Sequence, residues 1–217
     1  MMASYATYTG TRRNRDALRA AGWRLLMTPD TLARNGNRPP VWTDGEPAPY
    51  ALDNGAWSCF TRGVAWDAGR FRACVEAVGA AADWIVLPDI VAGGLASLSL
   101  SVSWLAELPG RVLLPVQDGM APEDVRSYIG GRVGLFVGGS TAWKLSTLRA
   151  WGRLARERQA WLHVGRVNTA RRIGLCGDAG AHSFDGTSAS RFAATVPLLE
   201  AARRRCTLFT WEHPWGL

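Results

Sequence analysis

Lysine is all but missing from this chain: of 25 basic residues only Lys144 is a lysine. Cysteine is sparse too. Cys59, Cys74, Cys176 and Cys206 form no CxxC pair, which excludes a zinc knuckle and a thioredoxin-type motif and leaves free, mostly buried thiols. His163, His182 and His213 lack HxxxH spacing, so no metal is expected. No apolar run approaches the ~20 residues that cross a bilayer. The longest, Trp84 to Leu100, is broken by Pro88, Asp89, Gly93 and Gly94, and no membrane association is expected. Arg12, Arg13, Arg15 and Asp16 precede no apolar stretch, which argues against a signal peptide and for a cytoplasmic protein.

What is present is an ordinary globular composition, 47% hydrophobic and 20% charged over 217 residues. The expectation is one compact domain spanning 1–217, burying ~70% of its unfolded surface. Net charge is 25 − 18 = +7. That excess favours a polyanionic partner, nucleic acid first, with solubility alone as the other reading.

Short apolar runs recur at Trp23–Met27, Tyr50–Asp53, Trp84–Pro88, Val112–Val116, Val133–Val137, Trp161–Val164, Ala181–Phe184 and Cys206–Trp211. Amphipathic stretches lie between several of them: 68–80, 95–108, 122–129, 147–158 and 190–204. Strands alternating with helices imply parallel βαβ units, and eight runs match a (β/α)8, TIM-like barrel. A doubly wound sheet would place a glycine-rich turn after its first strand, where this chain has Thr28-Pro29-Asp30. Residues 34–49, rich in Pro, Gly and Asn, read as a long loop without helix, of the kind that is usually functional or mobile.

Such barrels carry their chemistry where strands end. Here those ends hold Asp53, Asp89, Gln117, Gly138-Gly139 and Asp185. Any single Asp reads as a helix cap or an acceptor of loop amides. Three around one cavity would repel and shift one another, so that one donates a proton while another stays an ionised nucleophile. Glycosidic cleavage needs that division. Gln117 and the Gly138 and Gly139 amides suit the edge of a planar heterocycle.

The ordered set DNGAW, LPDI, PVQDG, FVGGS, LHVGR and SFDGTSASR, from Tyr50 to Arg191, resembles the tRNA-guanine transglycosylases. It is most similar to their phage and bacterial relatives that insert 7-deazaguanines into DNA. The resemblance implies a (β/α)8 enzyme that exchanges guanine for a 7-deazaguanine, such as 7-cyano-7-deazaguanine, through a covalent intermediate. It implies Asp185 as nucleophile, Asp53 as general acid/base and Asp89 on the N1 and exocyclic-amine edge of the base. Gln117 and Gly139 would contact the six-position oxygen, and Arg191 a backbone phosphate. The family's zinc-binding cysteine cluster is absent, so no cofactor is implied. The chain is shorter than the tRNA enzymes, which favours DNA over tRNA.

Around these, Lys144, one turn beyond Gly138-Gly139-Ser140, is a candidate anion contact or a solvated helix residue. Arg166 is a second candidate phosphate contact. Most of the eleven tryptophans belong to packing, while Trp57 is placed to stack on a base. Arg203-Arg204-Arg205 reads as a solvated helix end. Two further functional classes stay open: a phosphate-binding barrel enzyme on a small substrate, without an obvious Schiff-base lysine at a strand end, and a non-catalytic nucleic-acid binder.

Overall fold

The computed structural model describes residues 1–209. Eight parallel strands close into a barrel in sequence order: β1 Ala3–Thr7, β2 Arg24–Met27, β3 Tyr50–Leu52, β4 Ile85–Val86, β5 Val112–Val116, β6 Val133–Val137, β7 Leu162–Val164 and β8 Ser183–Gly186. The (β/α)8 expectation is met, with one change of membership. The first strand is Ala3–Thr7, and the Trp23–Met27 run is the second. Ala-Ser-Tyr-Ala-Thr has no bulky aliphatic run to announce a strand, yet it closes the barrel by pairing with both β2 and β8. The last run, from Cys206, forms no strand among the described residues: it is helical through Phe209, and Thr210 and Trp211 lie outside those residues.

The helices are α1 Arg12–Ala20, α2 Pro29–Arg34, α3 Ala56–Arg62, α4 Ala68–Val78, α5 Leu95–Ser103, α6 Pro122–Val125, α7 Thr141–Glu157, α8 Ala170–Asp178, α9 Ser188–Arg191 and α10 Val196–Phe209. None of the described helices is long and apolar enough to cross a membrane. Helix α7 starts six residues before the periodicity suggests, because Ser140 Oγ accepts the Trp143 N–H (3.3 Å) and caps it. In α10 Arg203 is not solvated. It is buried, bonded to Glu200 and, at 2.9 Å, to the carbonyl of Met2.

Of the loop expected over 34–49, Arg34 ends α2, and residues 35–49 are helix-free but packed. Trp42 and Ala48 are buried, and Thr43 and Asp44 bond Asp16 and Arg19 of α1. The segment lines the outer layer.

Two cores result. The larger lies between strands and helices and includes Trp23, Phe71, Trp151 and Phe184. The smaller fills the barrel, with Tyr5, Leu26, Ala51, Trp84, Val86 and Leu113. Inside it the Trp84 ring lies 5.0 Å from Tyr5 and 4.6 Å from His163, and Phe136 stacks on His163 at 4.9 Å. Trp84, just before the two-residue β4, is fully buried in this inner core. Trp84→Ala should therefore destabilise the fold by about 3–5 kcal/mol, measured by urea unfolding. A loss below about 1 kcal/mol would show that the interior closes up without the ring.

Candidate active site

The turn after β3 is built by glycine and asparagine. Gly55 has φ +77°, and a Cβ there would stand 3.0 Å from Pro29 Cδ. The turn brings the Gly55 N–H to Asp53 Oδ1 at 2.7 Å. Asn54, buried beside it, donates through Nδ2 to the Leu87 carbonyl (2.7 Å) and to Asp89 Oδ1 (2.8 Å), and its Oδ1 accepts the Ala56 N–H. Asn54 thus ties the end of β3 to the end of β4 and orients Asp89.

Asp185 projects inward from β8 and is 5% exposed. Its Oδ1 accepts from His163 Nε2 at 3.0 Å and from the Arg166 N–H at 3.3 Å. Burial, with repulsion from Asp185 and Asp89, pushes the Asp53 carboxyl up to about 7 against the opposing Gly55 N–H. Burial also raises Asp89, with the Asn54 bond opposing it. Asp53 therefore lies within electrostatic reach of both Asp89 and Asp185.

Gln117 is buried beyond β5, its Nε2 donating to the Ile90 carbonyl at 2.8 Å. Of the two glycine amides expected to read a base, that of Gly138 is taken, donating to Val116 O at 2.9 Å. Gly139 has φ +68°, and a Cβ there would fall 2.6 Å from Asp118 Oδ2. Asp118 accepts both the N–H and the hydroxyl of Ser140 at 2.6 Å, bonds that hold its carboxyl below the usual range. The Gly-Gly-Ser turn therefore already holds a carboxylate where an external anion was expected.

Arg166 follows β7 with φ +58°, unusual for a residue with a side chain. Its guanidinium donates to the Gly139 carbonyl and sits 4.3 Å from the centre of the half-exposed Trp57 ring. Strands β3 and β7 stand opposite each other in the ring of eight, so this stack spans the mouth. Arg191 is exposed at the end of α9, just past β8. Lys144 goes elsewhere than expected. It is buried, its ammonium donating to the Gly165 carbonyl, in a small cavity lined by Leu148, Val164, Arg172 and Cys176 between α7 and α8. Burial and the nearby Arg166 push it down to about 8. A cation facing the outer layer is a poor contact for a phosphate at the mouth.

No family model and no curated protein matches the chain. Solved structures do. The BexX/CysO complex of Amycolatopsis orientalis matches with TM-score 0.60 at 12% identity, over 98% of this chain and 93% of that one. A native KDPGal structure matches with TM-score 0.55 at 13% identity, over 95% and 96%. The tryptophan synthase alpha chain of Legionella pneumophila subsp. pneumophila matches with TM-score 0.55 at 16% identity, over 98% and 93%. They share the barrel. At such identities the likeness extends to the fold alone.

Two residues of the site escape the sequence reading. Asn54 sits in the DNGAW motif, but only the fold brings it to Asp89. His163 lies in the LHVGR motif without metal spacing, and neither feature gives it a role. The available signal was its place in a strand buried on both faces, where a polar side chain needs a partner. Among the described residues no group of three or more His, Cys, Asp or Glu is placed to hold a metal ion.

The raised Asp53 has a measurable consequence. Between its ordinary value of 3.8 and about 7, the folded chain keeps a proton that the unfolded chain has released, so stability falls as pH rises through that window. Asp53→Asn carries no such cost. Its stability should match wild type below pH ~4 and exceed it at pH ~8 by on the order of 1–3 kcal/mol, solvent at the mouth screening part of the effect. Urea unfolding at both pH values measures the difference.

Proposed function

We propose that this chain is a guanine transglycosylase that exchanges guanine in DNA for a 7-deazaguanine. The observation that carries the reading is the convergence of Asp53, Asp89 and Asp185, with Asp53 held protonated near neutrality and Asp185 gripped from one side.

The target guanosine is flipped into the mouth at a cost of a few kcal/mol. Asp89 accepts from the N1 and exocyclic-amine edge. The second N–H of Gln117 and the Gly139 amide meet the six-position oxygen. Both donors to Asp185 fall on Oδ1, so Oδ2 attacks C1′. The C1′–N9 bond breaks as Asp53 gives its proton to the leaving guanine, and an aspartyl–sugar ester forms. The incoming 7-deazaguanine surrenders its N9 proton to Asp53, attacks C1′ and releases the Asp185 carboxylate. The chemistry calls on no cofactor.

Arg166 and the exposed Arg191 are the phosphate contacts in this reading. Lys144 takes no part, being turned onto a carbonyl. The Trp57 face becomes available to a base when Arg166 leaves it for a phosphate. Strand-to-helix loops at the mouth are short, the longest running over residues 87–94, so a duplex with one extruded base can approach once Arg166 leaves Trp57. Such short loops leave no tRNA-contacting insertions and favour DNA over tRNA, while the +7 charge suits either polyanion. A small phosphorylated substrate is disfavoured because Asp118 fills the turn that would bind it.

Duplex DNA incubated with a panel of 7-deazaguanines, 7-cyano-7-deazaguanine included, should yield modified nucleosides by mass spectrometry and a denaturation-resistant protein–DNA adduct. Asp185→Asn should abolish both. Asp53→Asn should slow exchange by about 10²–10⁴-fold. Wild-type exchange should decline as pH rises above about 7, because the acid is then lost. Asp89→Ala should weaken base binding more than DNA binding. Exchange on tRNA alone would move the substrate assignment. Salt-sensitive DNA binding with no adduct from the wild type would establish a binder instead.

A further inference from the structure

Beneath the mouth a file of buried side chains runs up the barrel to Asp185. Ser183 and Asp185, two apart on β8, share the inward face, and His163 of β7 pairs in register with Ser183. Trp161 Nε1 donates to Ser183 Oγ at 2.9 Å. Ser183 Oγ lies 2.8 Å from His163 Nδ1, and His163 Nε2 lies 3.0 Å from Asp185 Oδ1. His163 is fully buried and Ser183 likewise. The His163 ring is fixed by Phe136 stacked at 4.9 Å, Trp84 at 4.6 Å and Tyr5 at 5.9 Å.

The donor inventory orients the file. An indole N–H can only donate, so it takes a lone pair of Ser183. A carboxylate can only accept, so the proton between His163 and Asp185 belongs to Nε2. The ring has no solvent around it, and burial lowers its basicity despite the carboxylate. Neutral imidazole carries one N–H, so Nδ1 is bare and accepts the Ser183 hydroxyl proton.

We propose that His163 is the positioning residue of Asp185: as the neutral Nε2–H tautomer, locked by Ser183 and Trp161, it holds Oδ1 of the carboxylate and turns its second oxygen towards the mouth. The role in catalysis rests on Asp185 being the nucleophile. The interaction itself does not. The other titratable or charged groups within electrostatic reach of Asp185 or His163 are Asp53 beyond β3, Lys144 of α7 and Cys176 of α8, with the Arg166 N–H from the loop after β7.

Nitrogen-15 NMR of histidine in the full chain should report His163 as neutral Nε2–H from pH 5 to 8. An imidazolium at pH 6, or the Nδ1–H tautomer, overturns the proposal. The carbon-13 resonance of the Asp185 carboxyl at fixed pH reads the bond itself. His163→Phe keeps the aromatic packing and deletes the donor, and should move that resonance. His163→Gln restores an N–H and should return most of the change. An unmoved resonance in His163→Phe, or equal changes in both variants, overturns the proposal. Ser183→Ala is the milder companion should His163→Phe not fold. It removes the donor to Nδ1 and leaves Asp185 in place, so the Nε2–H tautomer should persist while the Nδ1 resonance moves to that of an unbonded ring nitrogen, and an unmoved Nδ1 resonance overturns the lock. None of these readouts uses nucleic acid, so the proposal and base exchange fail separately. If exchange occurs, His163→Phe should lower kcat while leaving KM for the base within about twofold. His163→Gln should recover most of the loss.

Discussion

Asp53 is buried within electrostatic reach of two other carboxylates, Asp89 and Asp185, and the donors around the mouth answer that constraint. Burying like charges is tolerable only if each is met by donors or keeps a proton. Here every carboxylate has its own supply. Asp53 takes the Gly55 N–H, Asp89 the Asn54 amide, and Asp185 an imidazole and a backbone N–H. The supply is unequal. Burial, added to two like-charged neighbours and opposed by one donor, keeps the proton on Asp53 to about pH 7, and the chemical asymmetry of the mouth follows from that.

Arg166 belongs to the same arrangement from the other side. One residue gives its backbone N–H to Asp185 and its guanidinium to the Gly139 carbonyl and the Trp57 face. Its left-handed backbone makes both reaches possible from a single position. Asp118 and Lys144 play supporting parts, the first filling the Gly-Gly-Ser turn and the second bonding the carbonyl of Gly165, next to Arg166.

The sequence made the barrel and its strand-end acids legible for one reason: in this architecture an apolar run followed by Asp puts that Asp on one rim, whatever the intervening helices do. Other features depend on contacts that periodicity does not encode. β1 is too small and polar to stand out, and only its two neighbouring strands make Ala3–Thr7 a strand. The inward file of Ser183 and His163 depends on the register between β7 and β8. Lys144 lies one turn into its helix as expected, but spacing from a turn does not reveal whether a side chain faces the mouth or the layer behind it. Nor does it reveal that Asp118, two residues past β5, reaches across to Ser140.

The strand that bears Asp185 closes the ring against β1, its neighbour in space and the strand farthest from it in sequence. Tyr5 pairs with Asp185 itself, and Arg203 clamps the Met2 carbonyl beside that seam. Until β1 and β8 meet, Asp53, Asp89 and Asp185 have no common rim. The mouth is therefore assembled in one step at ring closure, and a fragment lacking either seam strand should hold no partial form of it.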